Sequence, residues 1–386
     1  MNRIMALRGA PAGSAGAGVG YAPAPRSDAP ITIESRPLAA CADIAEAWSQ
    51  LAGRALEPNP FLEPGFALAA AQHLVAFRDV VAILAWQGEA SDARRRLVGL
   101  IPCSRRNGFF VPDAVTGLAD RRVFNGAPLL DRQQAGAVIE AVVDPRRRLA
   151  VDGRGLILRA IDFDGELATA LRGGAERSGL TVSLRPRITG SVVRRSPGQA
   201  EASREALALQ GKLKLVEPRT QAGLRDAVEI ILAMEASGSR ARAGVATLQD
   251  TREVGFLRAM TRGLGRVRQC RIGLLMLDEQ PIAGAIVLGR GARGWLYLSA
   301  QEEAWAPFRA LEILLASMQA AAPARLILGP DGFAVSSDGR LSLGDLHLSH
   351  GPARTPRDLA SRARDALRGS LRRLPGVRPR RAGAAG

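Results

Sequence analysis

The chain has 386 residues, 47% of them apolar and 23% charged, with a formal net charge of +16. That apolar share suffices for two cores of ordinary domain size and excludes an intrinsically disordered protein. No run of about eighteen uninterrupted apolar residues occurs, which excludes a spanning helix.

The scattered, odd-numbered cysteines (Cys41, Cys103, Cys270) lack metal spacing and predict buried, reduced thiols in the cytoplasm. No metal site is expected: His347 and His350 lie on the alternating stretch "DLHLSH", which sends them to opposite faces. Half of the net charge sits in residues 354–381, where ten arginines face Asp358 and Asp365.

Residues 1–30 are rich in Gly, Ala and Pro and are expected to be disordered; they carry no signal-peptide core. Order begins with the alternating strand "ITIESRP" and a helix through "CADIAEAWSQLAGRA". In "NPFLEPGFALAAAQHL", Asn59 and Pro60 read as a turn and Pro64 as a helix start. Strands "VVAILAW", "RLVGLIPCSR" and "GLILRAID", a helix at "GELATALRGGAERSG" and strand "TVSLRPRI" complete a first half over 31–190.

A second half over 191–352 repeats that order. Strand "KLKLVEP" precedes helices "AGLRDAVEIILAMEASG" and "TREVGFLRAMTRGLG"; strands "CRIGLLML", "IAGAIVLG" and "GWLYLSA" follow, then helix "PFRALEILLASMQAAA" and strand "RLILGP". Gly289, Gly291 and Gly294 spell G-x-G-x-x-G, but strands flank them on both sides, which predicts a hairpin and not a dinucleotide cradle. Residues 353–386 form a basic tail. Leu359, Ala363, Leu367, Leu371 and Leu374 fall on one face of a helix over 355–374, suited to docking or to peripheral contact with an anionic membrane.

The expected fold class is α/β, as two tandem mixed α/β halves between a disordered N-terminus and a basic C-terminal helix. This doubled order resembles the GNAT acyltransferase fold, and its motifs resemble the FemAB/CelD-like branch associated with cellulose and envelope polysaccharide synthesis. "NPFLEPGF" is similar to the branch's N-P-F-F-x-P entry, and "VFNGAPLLD" to its aromatic–Gly–Pro–Leu pattern. "MEASGSRARAGVATL" resembles its E-x-S-x-W-K-G-R stretch, "LDEQPIAGAIVL" its L-D-G-x-P-I-A hairpin, and "LSAQEEAWAPFRALEILL" its Y-D-E…S-P-G segment. The likeness covers residues 31–330. The chain departs from it at Ser239-Arg240-Ala241-Arg242, at Gln301-Glu302-Glu303 and at Arg309-Ala310-Leu311, where Trp-Lys-Gly-Arg, Tyr-Asp-Glu and Ser-Pro-Gly are the family's forms.

The resemblance implies transfer of an acyl group from acetyl-CoA or another acyl-CoA to an amine or hydroxyl. The acceptor would be a small molecule or polysaccharide precursor, and no specific nucleic acid is expected. Such chemistry needs a base, polarisation of the thioester and an acid for the leaving thiolate. Glu303 is the expected base and Tyr297 the acid; Phe308 and Arg309 would contact the cofactor; Glu235, Arg240 and Arg242 would contact the acceptor. The thioester is expected in a gap between "IAGAIVLG" and "GWLYLSA". Two other readings stand beside this one. A degenerate scaffold or regulator of a polysaccharide synthase fits the lost motif residues, and aminoacyl transfer from charged tRNA fits the basic surface but lacks the family's helical-hairpin arm.

Overall fold

A computed structural model describes residues 29–92, 94–104, 114–144, 155–186, 197–323, 325–335 and 339–349. The disordered leader and the basic helix expected over 355–374 fall outside the described residues.

The first half runs β1 (Ile31–Pro37), α1 (Ala45–Arg54), α2 (Pro64–His73), β2 (Val80–Gln87), β3 (Arg96–Ser104), β4 (Ala114–Gly117), β5 (Leu129–Leu130), α3 (Ala135–Val143), β6 (Gly155–Asp162), α4 (Glu166–Arg177) and β7 (Thr181–Pro186). The second runs α5 (Pro197–Ala208), β8 (Leu213–Val216), α6 (Gln221–Ser237), α7 (Ser239–Arg242), α8 (Thr251–Arg266), β9 (Cys270–Leu277), β10 (Gln280–Leu288), β11 (Arg293–Gln301), α9 (Ala310–Ala320) and β12 (Leu326–Leu328). A last strand, β13 (Leu343–Ser349), follows.

The halves are duplicates at the level of topology. In one sheet β1, β2, β3 and β4 are antiparallel neighbours and β6 adds parallel to β4. In the other β8, β9, β10 and β11 are antiparallel and β12 adds parallel to β11. Two tandem mixed α/β halves are therefore present, as the element order predicts. One strand crosses the division: β13, placed by the sequence within 191–352, inserts into the first sheet between β6 and β7, antiparallel to both.

The G-x-G-x-x-G stretch is the turn of a hairpin. Gly289 and Gly291 have φ of 115° and 71°, values that favour glycine, and β10 and β11 pair antiparallel on either side.

One apolar core joins the halves. Trp48, Phe61 and Phe66 pack in it with Ile231, Phe256 and Trp295. α2 crosses α8 at Gly65 and Gly263, where a Cβ on either residue would stand 2.8 Å from the other's backbone. Polar contacts reinforce the join: Gln269 donates to Glu63 (2.7 Å), and Arg293 pairs with Asp162 (3.0 Å). The three cysteines are free and buried, with Cys103 and Cys270 pushed up to about 12 by desolvation, so these thiols are unreactive at neutral pH.

Candidate functional site

The two motifs of the first half are structural before they are anything else. Asn59 is buried; its side-chain carbonyl oxygen accepts from the Phe61 N–H (3.0 Å), and its amide donates to Asn125 O (3.0 Å) and Ala127 O (2.7 Å). "NPFLEPGF" and "VFNGAPLLD" are thus clamped together. Gly126 permits the clamp, because a Cβ there would overlap the carbonyl oxygen of Arg159. The clamp presents Phe61, Phe66 and Phe124 to the second half. Phe124 stacks on Tyr297 with centroids 5.8 Å apart, and Phe66 meets Tyr297 edge-on at 6.0 Å.

Tyr297 owes its position to an irregularity in β11. Val287 pairs with Leu296 and Ile286 with Leu298, so Tyr297 is the extra residue of a β-bulge, a device that re-aims a side chain. Burial raises its phenol well above the ordinary range, and the nearby Glu253 charge adds to the rise, so Tyr297 stays protonated.

The gap expected between "IAGAIVLG" and "GWLYLSA" is not there: β10 and β11 are paired from Ala283–Gln301 to Leu288–Trp295. The correction follows from the hairpin itself, since strands joined by a tight turn satisfy their backbone groups on each other. The opening lies on the other edge of β11. Parallel pairing with β12 covers only Arg293–Trp295, and Leu296 onward has no partner in that strand.

Alongside this stretch is a cleft of ≈ 410 Å³ between the halves. Tyr297 and Leu298 line it from β11, Phe256, Leu257 and Glu253 from α8, Phe124 with Arg121 and Arg122 from the first half, and Arg240 with residues 244–247, Gln249 and Asp250 from the lip after α6. Arg122 donates from Nε to both Glu253 oxygens at 3.1 Å, and Arg121 reaches the same carboxylate at 3.0 Å while 75% of its side chain stays exposed.

The expected site residues divide between this cleft and its surroundings. Tyr297 and Arg240 line it. Glu235 stands behind it with its side chain fully buried; it pairs with Arg240 Nε (2.6 Å) and accepts the Thr247 N–H (2.9 Å), so it ties both ends of the lip to α6. Arg242 and Glu303 pair with each other on the exposed surface, and that partner holds the Glu303 carboxyl below its usual range. Phe308 packs on Trp305 ahead of α9 (centroids 5.7 Å apart), and Arg309 pairs with Glu312 at the helix entrance. Arg121, Arg122, Glu253 and Phe256 are among the lining residues that sequence reasoning passes over. A signal existed for the first two, because they directly precede the "VFNGAPLLD" motif; Glu253 lies on a helix whose charged face reads as solvated.

An acyl-CoA would need donors for its diphosphate, which a helix N-terminus ordinarily offers. The α9 entrance does not fit that group as it stands. Gln301 Oε1 already accepts the Leu311 N–H (3.0 Å), and Glu312 puts a carboxylate in the first turn.

Comparison with known proteins adds three findings. Residues 199–331 match the family model described as Acetyltransferase (GNAT) domain. No curated protein matches the chain. Among solved structures, the chain is similar to FemX (10% identity, 72% of this chain and 84% of that one, TM-score 0.44). It is also similar to the C-terminal domain of a putative lysylphosphatidylglycerol synthetase from Agrobacterium fabrum (12%, 87% and 98%, TM-score 0.43). A tandem GNAT protein from the clavulanic acid biosynthesis pathway is a further neighbour (14%, 84% and 100%, TM-score 0.30).

Proposed function

We propose that the chain, whose residues 199–331 match the acetyltransferase (GNAT) domain model, transfers an acyl group to an amine or hydroxyl of an acceptor bound in the cleft between its halves. The carrying observation is the coincidence of three features at one place: the cleft, the bulge that aims Tyr297, and the end of β12 pairing.

In this reading the acceptor's nucleophile attacks the acyl carbonyl, loses its proton, and the donor's leaving group gains one. Tyr297, held protonated, donates to the leaving group. Arg240, steadied by Glu235, binds an anionic group of the acceptor, as guanidinium suits carboxylate and phosphate. Glu303, paired with Arg242 on the surface outside the cleft lining, is the base in this reading; the pair keeps it ionised, the state a base needs. An envelope polysaccharide precursor is the acceptor class that the resemblance favours.

The test is a mass-spectrometric assay for acylated product, with thioester and ester acyl donors set against anionic amines and sugars. Tyr297→Phe is expected to lower kcat by about 100-fold. Arg240→Ala is expected to raise the acceptor KM about tenfold with a smaller change in kcat. Variants indistinguishable from the unmodified enzyme would remove the cleft from the mechanism. A well-folded protein that yields no product from any donor would favour the scaffold reading.

A further inference from the structure

The entrance to α9 engages most of its own donors, one of them through a side chain. Leu311 N–H goes to Gln301 Oε1 (3.0 Å), Arg309 N–H to Ala306 O (2.9 Å), and the N–H groups of Glu312 and Ile313 to Arg309 O (2.9 and 3.1 Å). A helix N-terminus attracts anions because its first N–H groups lack partners; here those of Leu311, Glu312 and Ile313 are satisfied. The Glu312 carboxylate, paired with Arg309, stands in the first turn and would repel a second anion. Arg309 itself holds φ of 57°, a left-handed conformation that a residue bearing a side chain adopts only when its surroundings impose it. No glycine lies between Gly294 and Gly329, so no bare backbone is offered for a phosphate to approach.

We infer that Gln301 is a plug in the N-terminus of α9, and that with the Arg309–Glu312 pair it sets donor specificity by excluding the diphosphate of CoA. Gln301 ends β11, and its side-chain carbonyl occupies the place a phosphate oxygen would take. The donor of this chain is therefore an acyl ester or thioester that brings no diphosphate to α9. The inference rests on the acyl-transfer reading for its consequence, whereas the plug is tested by binding alone.

Isothermal titration with CoA on the full chain decides it. The unmodified protein should give no saturable heat. The double variant Gln301→Ala, Glu312→Gln, which frees Leu311 N–H and the Arg309 guanidinium, should bind CoA about tenfold or more above that limit. Gln301→Glu keeps an acceptor at Leu311 and adds charge, so it should stay closed. Equal CoA affinity in the unmodified and double-variant proteins overturns the inference, and so does a folded double variant that still fails to bind. Thermal unfolding checks the fold; if the double variant does not fold, Gln301→Ser is titrated in its place under the same criteria. Failure of the transfer assay leaves this titration readable, because no turnover enters it.

Discussion

At the scale of single residues, Glu63 shows what the junction between the halves costs. Its carboxyl is buried at the start of α2 and pushed up to about 6 by desolvation, while the Arg290 charge and the Gln269 hydrogen bond pull it partly back. The folded protein thus holds a proton that the unfolded chain, at 4.5, has released. Stability should fall as pH rises from 4.5 to about 6, by about 2 kcal/mol, and stay lowered above that window. Glu63→Gln removes the titration, and the new amide can donate to Gln269 Oε1, which has no hydrogen-bond partner among the described residues. Urea unfolding of both proteins should show little difference at pH 4.5 and an advantage for the Glu63→Gln variant that grows up to pH 6.5. A difference that does not change with pH would mean Glu63 keeps an ordinary pKa.

At the scale of elements, the crossing of α2 and α8 decides how closely the halves approach. Gly263→Ala places a methyl 2.8 Å from the Gly65 backbone, which cannot move aside as a side chain would; overpacking of this kind costs about 1–3 kcal/mol. The same substitution at Gly173, inside α4, would meet only the flexible end of Arg177, whose Nη1 lies 3.5 Å from the added methyl. It should be neutral or gain up to about 1 kcal/mol from helix propensity. Denaturant midpoints compare the two. Destabilisation of similar size at both sites would show that propensity, not the crossing, governs Gly263. Periodicity predicts both helices in sequence, as it does the β10–β11 hairpin, because these patterns are local. It does not reveal the bulge at Tyr297: the alternation of "GWLYLSA" reads as a regular strand, and the register shift appears only against β10.

At the scale of the whole molecule, β13 returns the chain from the second half into the first sheet. It fills the space between β6 and β7; Leu346 and Leu348 are buried, Asp345 pairs with Arg159, and Asp345 Oδ1 accepts the Ala160 N–H (3.1 Å). Truncation after residue 335 should therefore separate β7 from β6 at one end of the first sheet although every first-half residue remains. Hydrogen exchange would read this directly: amides of β6 and β7 should lose protection while those of β9 and β10 keep it. Retained protection in β6 and β7 would show that the first sheet closes without its C-terminal strand.

The element order, the duplicated plan and the GNAT likeness were all legible in the residues, since helix and strand periods and turn glycines act over a few positions. Much of the site was not. Tyr297 and Arg240 could be named from motif positions, but Arg121, Arg122 and Glu253 meet them only because α8 packs under the first half. The opening on β11 lies at its β12 edge, and no local pattern says which neighbour a strand will leave unpaired. The partner of β13 likewise lies far back in the chain. Local sequence determined which segments are helices and strands; long-range pairing and the glycine crossing, whose free energy arises only when distant segments meet, decided where the cleft is and what lines it.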